Sequence, residues 1–211
     1  MHPMFSALIE VLGPDDCPSC GGPRGLHGTM VCSQCQPLVP TLLRPLDPPG
    51  SVAWGFGLGP YEGPLGAMVR RAKYRPDAAA CQELGRRLAD AARGRLPDVD
   101  AVVFVPVPPR RRMRRGFDQA ELLAAAVARA VDAPLVPALR RVRPDEQAGR
   151  SHRDRAAAAR GAWKLSVSVP SRVLLVDDVV TTGATAAACA DELLCGGARR
   201  VGLLCVAAAA L

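Results

Sequence analysis

Long uncharged apolar runs are missing from this chain. Its two most apolar stretches, AVVFVPVPP at 101–109 and VGLLCVAAAAL at 201–211, are too short to cross a bilayer as helices. The opening MHPMFSALIEVLGP lacks the basic segment that begins a secretory signal, and Glu10 interrupts its short apolar run. A chain of this kind is expected in the cytoplasm, without membrane insertion, where cysteines stay reduced and serve metals, catalysis or packing. Aromatic residues are scarce, at 4%. No aromatic-and-basic stripe lies between the cysteine pairs near the start, which leaves base stacking by that segment with little support. Neither G-x-x-x-x-G-K-[ST] nor the dinucleotide fingerprint occurs, since GFGLG near residue 57 does not match it. No internal repeat of fixed period is present.

What the chain does have is 211 residues, 49% of them hydrophobic, enough for one medium domain with a core of its own and a small extra module. Its net charge of +7 is dominated by arginine. Such an excess suits an anionic partner, whether a phosphorylated small molecule, a nucleic acid or an acidic surface, or else serves solubility alone.

Four of the eight cysteines lie in the first 35 residues. Cys17-Pro-Ser-Cys20 and Cys32-Ser-Gln-Cys35 are two C-x-x-C knuckles eleven residues apart. Each aims two thiolates at one point, and together they make a closed tetrahedral site for which zinc is the first choice and a labile iron the second. Gly21 and Gly22 allow the tight turn after the first pair. A ribbon of this type can bind nucleic acid, dock a protein or staple a segment too short to fold alone. The other four cysteines, Cys81, Cys189, Cys195 and Cys205, sit in helical or strand patterns and read as small core residues. After the ribbon, the prolines of QPLVPTLLRPLDPPG break helix and strand alike, which divides the chain into a module and linker at 1–45 and a larger domain at 46–211.

Beyond that boundary strands alternate with helices. SVAWGFGLGPYEG reads as a glycine-rich strand and turn, GPLGAMVRRAKYR and AACQELGRRLADAARGRL have helical spacing, and AVVFVPVP is a short buried strand. A basic run, RRRMRRG, precedes the helix FDQAELLAAAVARAV. Strand candidates follow in APLVPALRRVR, AWKLSV, RVLLVDD and RRVGLLCVAAA, with a helix over ATAAACADELLCGG stopped by Gly196 and Gly197. Apolar runs in place of two-residue alternation imply an α/β fold whose parallel sheet is covered on both faces.

The densest chemistry is in VLLVDDVVTTGATA, residues 173–186. A buried parallel strand delivers its carboxyl end to the ligand crevice of such a sheet, and the next helix starts just beyond. Asp177 and Asp178 fall at that end. Gly183 permits a turn that a side chain would obstruct, while Thr181, Thr182 and Thr185 offer hydroxyls beside the N–H groups that open the helix. The combination fits a phosphate monoester held by backbone donors, hydroxyls and helix dipole, with the two carboxylates left for ribose hydroxyls or Mg²⁺. A purely structural role would make Thr182 a helix cap and the aspartates solvated ends, yet capping needs one such residue and five are present.

VLLVDDVVTTGAT closely resembles the 5-phosphoribosyl-1-pyrophosphate (PRPP) signature of type I phosphoribosyltransferases. The cysteine pairs, GPLGAMVRRAKYR, VPVPPRRRMRRGFDQAELL, QAGRSHRDRAAAARGAW and that signature, in this order, resemble the ComF family over almost the whole sequence. The resemblance implies a type I phosphoribosyltransferase fold, a twisted and mainly parallel sheet flanked by helices, with a small N-terminal four-cysteine zinc ribbon. It implies that Asp177 and Asp178 bind the ribose hydroxyls, partly through metal, and that Thr181, Thr182, Gly183, Ala184 and Thr185 hold the 5-phosphate. Arg110, Arg111 and Arg112 fall where such proteins bind pyrophosphate, and a guanidinium fork suits phosphate oxygens. Gln147 to Gly161 corresponds to the loop that closes over the reaction centre and excludes water, with Arg150, Arg153 and Arg155 as its cationic donors, Arg155 the best placed. His152 lies in the same loop.

The chain also departs from the pattern. Relatives carry asparagine where this sequence has Ala158 and Asp118, and Asp118 remains able to cap its helix. Purine-salvage members have an aspartate at the position of Thr181, and threonine cannot take that proton, which disfavours hypoxanthine or guanine as acceptor. The acceptor-selecting hood falls in the N-terminal part, which includes AKYR. Two functions are therefore expected of such a chain: Mg²⁺-assisted transfer of phosphoribose from PRPP to an acceptor, or a non-catalytic adaptor that keeps the pocket and serves DNA uptake, since ComF relatives are associated with competence. An oligomer is compatible with either.

Overall fold

A computed structural model of the chain describes residues 16–23, 30–74, 78–142 and 161–209. Its strands are β1 (Arg44–Pro45), β2 (Trp54–Pro60), β3 (Ala101–Phe104), β4 (Leu139–Arg141), β5 (Trp163–Leu165), β6 (Arg172–Val180) and β7 (Arg200–Ala208). Its helices are α1 (Gly63–Tyr74), α2 (Ala78–Ala92), α3 (Pro109–Arg115), α4 (Gln119–Ala130) and α5 (Ala184–Cys195). Five strands form one sheet in the order β1-β2-β7-β6-β3, in which β2, β7, β6 and β3 are parallel and β1 runs antiparallel along the edge of β2. This is the mainly parallel α/β architecture that the apolar runs predict.

Packing explains the runs. Leu174 and Val176 of β6 join an apolar cluster built with α1, α2 and α4, whereas Val173 and Leu175 join a second one built with α5 and Trp163. Successive strand residues point to opposite faces. Because helices cover both faces, every position of this strand core is buried, and no polar alternation survives. Gln119, buried at the start of α4, donates its side-chain amide to the Ala72 carbonyl and so fastens α4 to the last turn of α1.

Four segments differ from the sequence expectation. APLVPALRRVR and AWKLSV do not enlarge the main sheet. β4 and β5 form a separate antiparallel ribbon in register Arg141↔Trp163, while Leu135 alone makes a parallel bridge to Val102. Pro134 and Pro137 flank that bridge and lack the N–H groups a longer ladder requires. The basic run 110–116 is a helix: Pro109 occupies its first turn, and Gly116, at φ +79°, closes it. Finally, the proline-rich segment contains a 3-10 turn at Gln36–Leu38 and the edge strand β1, where a proline is tolerated.

The cysteine loops pack into the same apolar cluster as the larger body, since Cys17, Met30, Val31, Cys32 and Cys35 belong with Leu65, Met68 and Val69 of α1. Arg71 of α1 also reaches Asp16, its Nη1 3.3 Å from the carbonyl oxygen. Among the described residues no helix is long and apolar enough to cross a membrane.

Candidate functional site

β3 and β6 are parallel neighbours, but α4 packs on one face of the sheet and α5 on the other. Chain leaving the carboxyl ends of the two strands therefore diverges, which opens a crevice at a topological switch point, the usual ligand position in an open α/β sheet.

Asp177 and Asp178, both half-buried, stand at that end of β6. Asp177 Oδ1 accepts from the Asp178 amide at 2.8 Å. Burial, with the Asp178 carboxylate beside it, pushes Asp177 well above the usual carboxylate range, and Lys73 opposes the shift. Lys73 arrives from the last turn of α1, its Nζ 3.1 Å from Asp178 Oδ1. Burial acts to lower the pKa of that ammonium, but attraction from Asp178 and Asp177 outweighs it and the net shift is upward.

Past the strand, Thr181 is exposed, Thr182 and Thr185 are half-buried, and Gly183 is buried at φ +71°. A Cβ on Gly183 would collide with the Pro49 ring, so glycine is demanded twice, by conformation and by space. Thr182 Oγ1 accepts from Ala184 N at 3.3 Å. The helix therefore starts through a threonine turn, with the remaining first-turn N–H groups left without partners inside α5. Those donors and the positive end of the dipole stand beside the threonines at the start of α5.

The opposite wall follows β3. Asp118, 2% exposed, caps α4 by accepting from Ala120 N at 3.1 Å and Glu121 N at 3.4 Å, and its other oxygen holds the Val107 amide at 3.0 Å. One aspartate thus ties the loop after β3 to the start of α4, a task that uses both acceptor oxygens; the desolvation this entails raises its pKa. Arg110 and Arg111 are exposed on α3, and Arg112 pairs with Glu121 at 3.3 Å. Arg150, Arg153 and Arg155, together with His152 and Ala158, lie outside the described residues. The ends of that segment are fastened by the β4–β5 ribbon, where the Arg141 guanidinium lies 5.0 Å from the Trp163 ring centre and Leu165 N donates to Glu192 of α5 at 3.1 Å.

The structure thus brings the acid pair, the threonine loop and Lys73 together. Sequence reasoning does not single out Lys73. Its one available signal is its place in AKYR at a helix end, because the partner carboxylate comes from a strand far along the chain.

Away from the crevice, Cys17, Cys20, Cys32 and Cys35 place their sulfurs within 4.8 Å of one another, Cys20 Sγ and Cys32 Sγ being 3.6 Å apart. Tetrahedral thiolates around zinc are separated by about 3.8 Å, so the four fit a single ion with slight contraction. Burial opposes charge on Cys17, but donors from Cys32, Cys20 and Ser19 prevail and bring its thiol down to about 6. At Cys35 a Ser19 hydrogen bond acts to lower the pKa, yet burial and the three neighbouring sulfurs raise it to about 12. Four thiolates gathered at one point repel one another, and a cation completes such a set. Gly21 turns the first knuckle at φ +72°, and Cys17 N and Cys17 O bond to Gly22 and Gly21.

A parallel α/β domain with an acid pair and a threonine-glycine helix start at its switch point, joined to a four-thiol site able to hold zinc, defines the class of protein. No family model matches the chain. It is 32% identical over 201 residues to the DNA utilization protein YhgH of Salmonella typhi, covering 90% of this chain and 82% of that one. It is 36% identical over 141 residues to competence protein F of Haemophilus influenzae, covering 61% of each. The chain belongs to this family of competence protein F and YhgH, the ComF family. Among solved structures it is similar to the glutamine PRPP amidotransferase from B. subtilis, with a TM-score of 0.41 and 22% identity over 59% of this chain and 25% of that one.

Proposed function

We propose that the crevice between β3 and β6 binds Mg²⁺–PRPP and that the protein transfers its phosphoribosyl group to an acceptor with release of pyrophosphate. The observation that carries this reading is the pairing of Asp177 and Asp178 with the Thr181–Thr185 loop at a single strand end. In it, Thr181, Thr182, Gly183, Ala184 and Thr185 cradle the 5-phosphate, the carboxylates receive ribose hydroxyls, and Arg110 and Arg111 face the pyrophosphate. Arg150, Arg153 and Arg155 complete the charge over the leaving group when their loop closes. Magnesium comes in with the ligand and neutralises phosphate charge; zinc holds the four cysteines and is structural. Thr181 in place of an acid argues against a hypoxanthine or guanine acceptor. The cytoplasm, where PRPP is found, is the matching compartment.

A second reading is an adaptor of a DNA-handling complex that retains the pocket without transfer chemistry. Exposed Arg110, Arg111 and Arg112 on α3 support it, as do the relatives' names, DNA utilization protein and competence protein F. Calorimetric titration of Mg²⁺–PRPP into the zinc-loaded chain separates the two. Saturable binding supports the first reading, and pyrophosphate release in an acceptor screen extends it to catalysis. Absence of binding by the folded protein sinks it. DNA affinity that falls steeply with salt, and falls further when the α3 arginines are replaced, supports the second.

A further inference from the structure

The chain has 27 lysines and arginines, but only Lys73 and Lys164 are lysine. Lys164 is a surface residue paired with Glu192 at 3.2 Å. Lys73 is different: its side chain is 25% exposed, its partner Asp178 is 19% exposed, and both aspartates of the crevice attract it. Where arginine is used almost everywhere else, the lysine here places a compact point charge with three donors beside a half-buried carboxylate.

We propose that Lys73 is the resident cation of the acid pair and keeps divalent metal off it. The carboxylates then act as hydroxyl acceptors, and magnesium stays on the phosphate oxygens of the ligand. The ligand half of this statement rests on the PRPP reading; the exclusion of metal does not. A divalent ion at Asp177–Asp178 needs carboxylate oxygens at roughly 2.1 Å in near-octahedral order. One of those oxygens, Asp178 Oδ1, already holds an ammonium at 3.1 Å, and Asp177 Oδ1 is engaged by the Asp178 amide at 2.8 Å. Ammonium and metal would also repel one another at a half-buried site. The helix that carries the lysine is held in place. Leu65, Met68, Val69 and Ala72 bury the inner face of α1, and the Ala72 carbonyl next to it is held by Gln119. Lys73 is thus a positioning residue, which fixes the orientation of the Asp178 carboxylate before ligand arrives.

The test is Mn²⁺ binding to the zinc-loaded full-length chain with no phosphorylated ribose present, read from the electron paramagnetic resonance of free Mn²⁺. Wild type and Asp178→Asn are expected to bind equally weakly. Lys73→Met, which keeps the aliphatic stem, is expected to gain a site at least on the order of tenfold tighter, since an opposing charge has been removed from beside the carboxylates. Adding Asp178→Asn to Lys73→Met abolishes the gain, and Lys73→Arg, which retains the charge, shows none. Wild-type Mn²⁺ binding that disappears in Asp178→Asn overturns the proposal, as does a folded Lys73→Met or Lys73→Gln variant that gains no site. Failure of Mg²⁺–PRPP to bind, with metal still excluded from wild type, would count against the proposed function alone.

Discussion

Lys73 Nζ lies 3.1 Å from Asp178 Oδ1, and this contact joins the last turn of α1 to the carboxyl end of β6. Two residues earlier on the same helix, Arg71 reaches Asp16, the residue just before the first cysteine knuckle. The four-thiol site and the acid pair are therefore attached to one helical turn.

Asp177 carries the strongest conflict between stability and function. Burial and its acidic neighbour disfavour its charge, so the native fold is held back by a carboxylate that the proposed ligand needs. Asp177→Asn is expected to raise the melting temperature at neutral pH, because the amide oxygen still accepts from the Asp178 amide. The same change, alone or with Asp178→Asn, should weaken Mg²⁺–PRPP on the order of a hundredfold through lost charge-assisted bonds to ribose hydroxyls. Thermal melting and calorimetry on the same samples check both parts. A folded double variant with undiminished affinity would remove the aspartates from the site.

Gly183 tests the phosphate cradle independently. Its φ of +71° disfavours any side chain, and an added Cβ meets Pro49. Gly183→Ala should cost about 1–3 kcal/mol of stability and weaken phosphate binding by tilting the start of α5. Combining it with Pro49→Gly relieves the collision but not the strain, so partial recovery of the denaturant midpoint is expected. Full recovery would mean that backbone conformation contributes little here, and no initial loss would mean that the loop yields without resistance.

Much of this was legible in the sequence because it is local. The apolar run before Asp177, the glycines that stop α5, the cap at Asp118 and the spacing of the cysteines each express a rule that acts within a few residues. What depended on distant parts of the chain was not. Lys73 finds its carboxylate only once α1 is packed against the sheet. The segments of β4 and β5 read as two further members of the main sheet, since a strand carries no label for its partner. The helix α3 was hidden by its charge: five arginines in seven residues leave no apolar stripe, although Pro109 and Gly116 mark its ends. The proposed division at residue 45 also crosses packing that composition cannot reveal, since Cys17 and Met68 share one apolar cluster.

That shared cluster shapes the response to metal loss. A mercurial that titrates thiols should release one zinc per chain to a chromogenic chelator. The metal-free protein should then unfold at a lower temperature, because Cys17, Cys32 and Cys35 no longer hold the loops that cover Met68 and Val69. A cooperative transition is still expected from residues 46–211, whose second apolar cluster does not involve the cysteine loops. An unchanged midpoint would separate the module from the core, whereas loss of any transition would show that the larger part does not fold without it.

The start of the β3–β6 pair supplies a prediction in pH. Asp100 accepts from Arg172 Nε at 3.0 Å and Arg172 Nη2 at 2.6 Å on one oxygen, and from the Arg172 amide at 2.9 Å on the other. Those bonds, the side-chain ones foremost, hold its carboxyl below the ordinary range. A carboxyl depressed in the folded state contributes stability above its unfolded pKa, about 3.9, and loses that contribution as pH falls through the lower folded value. Asp100→Asn is therefore expected to melt below wild type at neutral pH, by an amount that is steady down to about pH 5 and then shrinks toward zero in more acidic solution. Both proteins would be melted across that range at fixed ionic strength, since the pair is solvent-exposed and screened by salt. A gap that widened with acid would reverse the sign of the linkage and place the depressed carboxyl elsewhere, and a gap independent of pH would assign the loss to the hydrogen bonds without the charge.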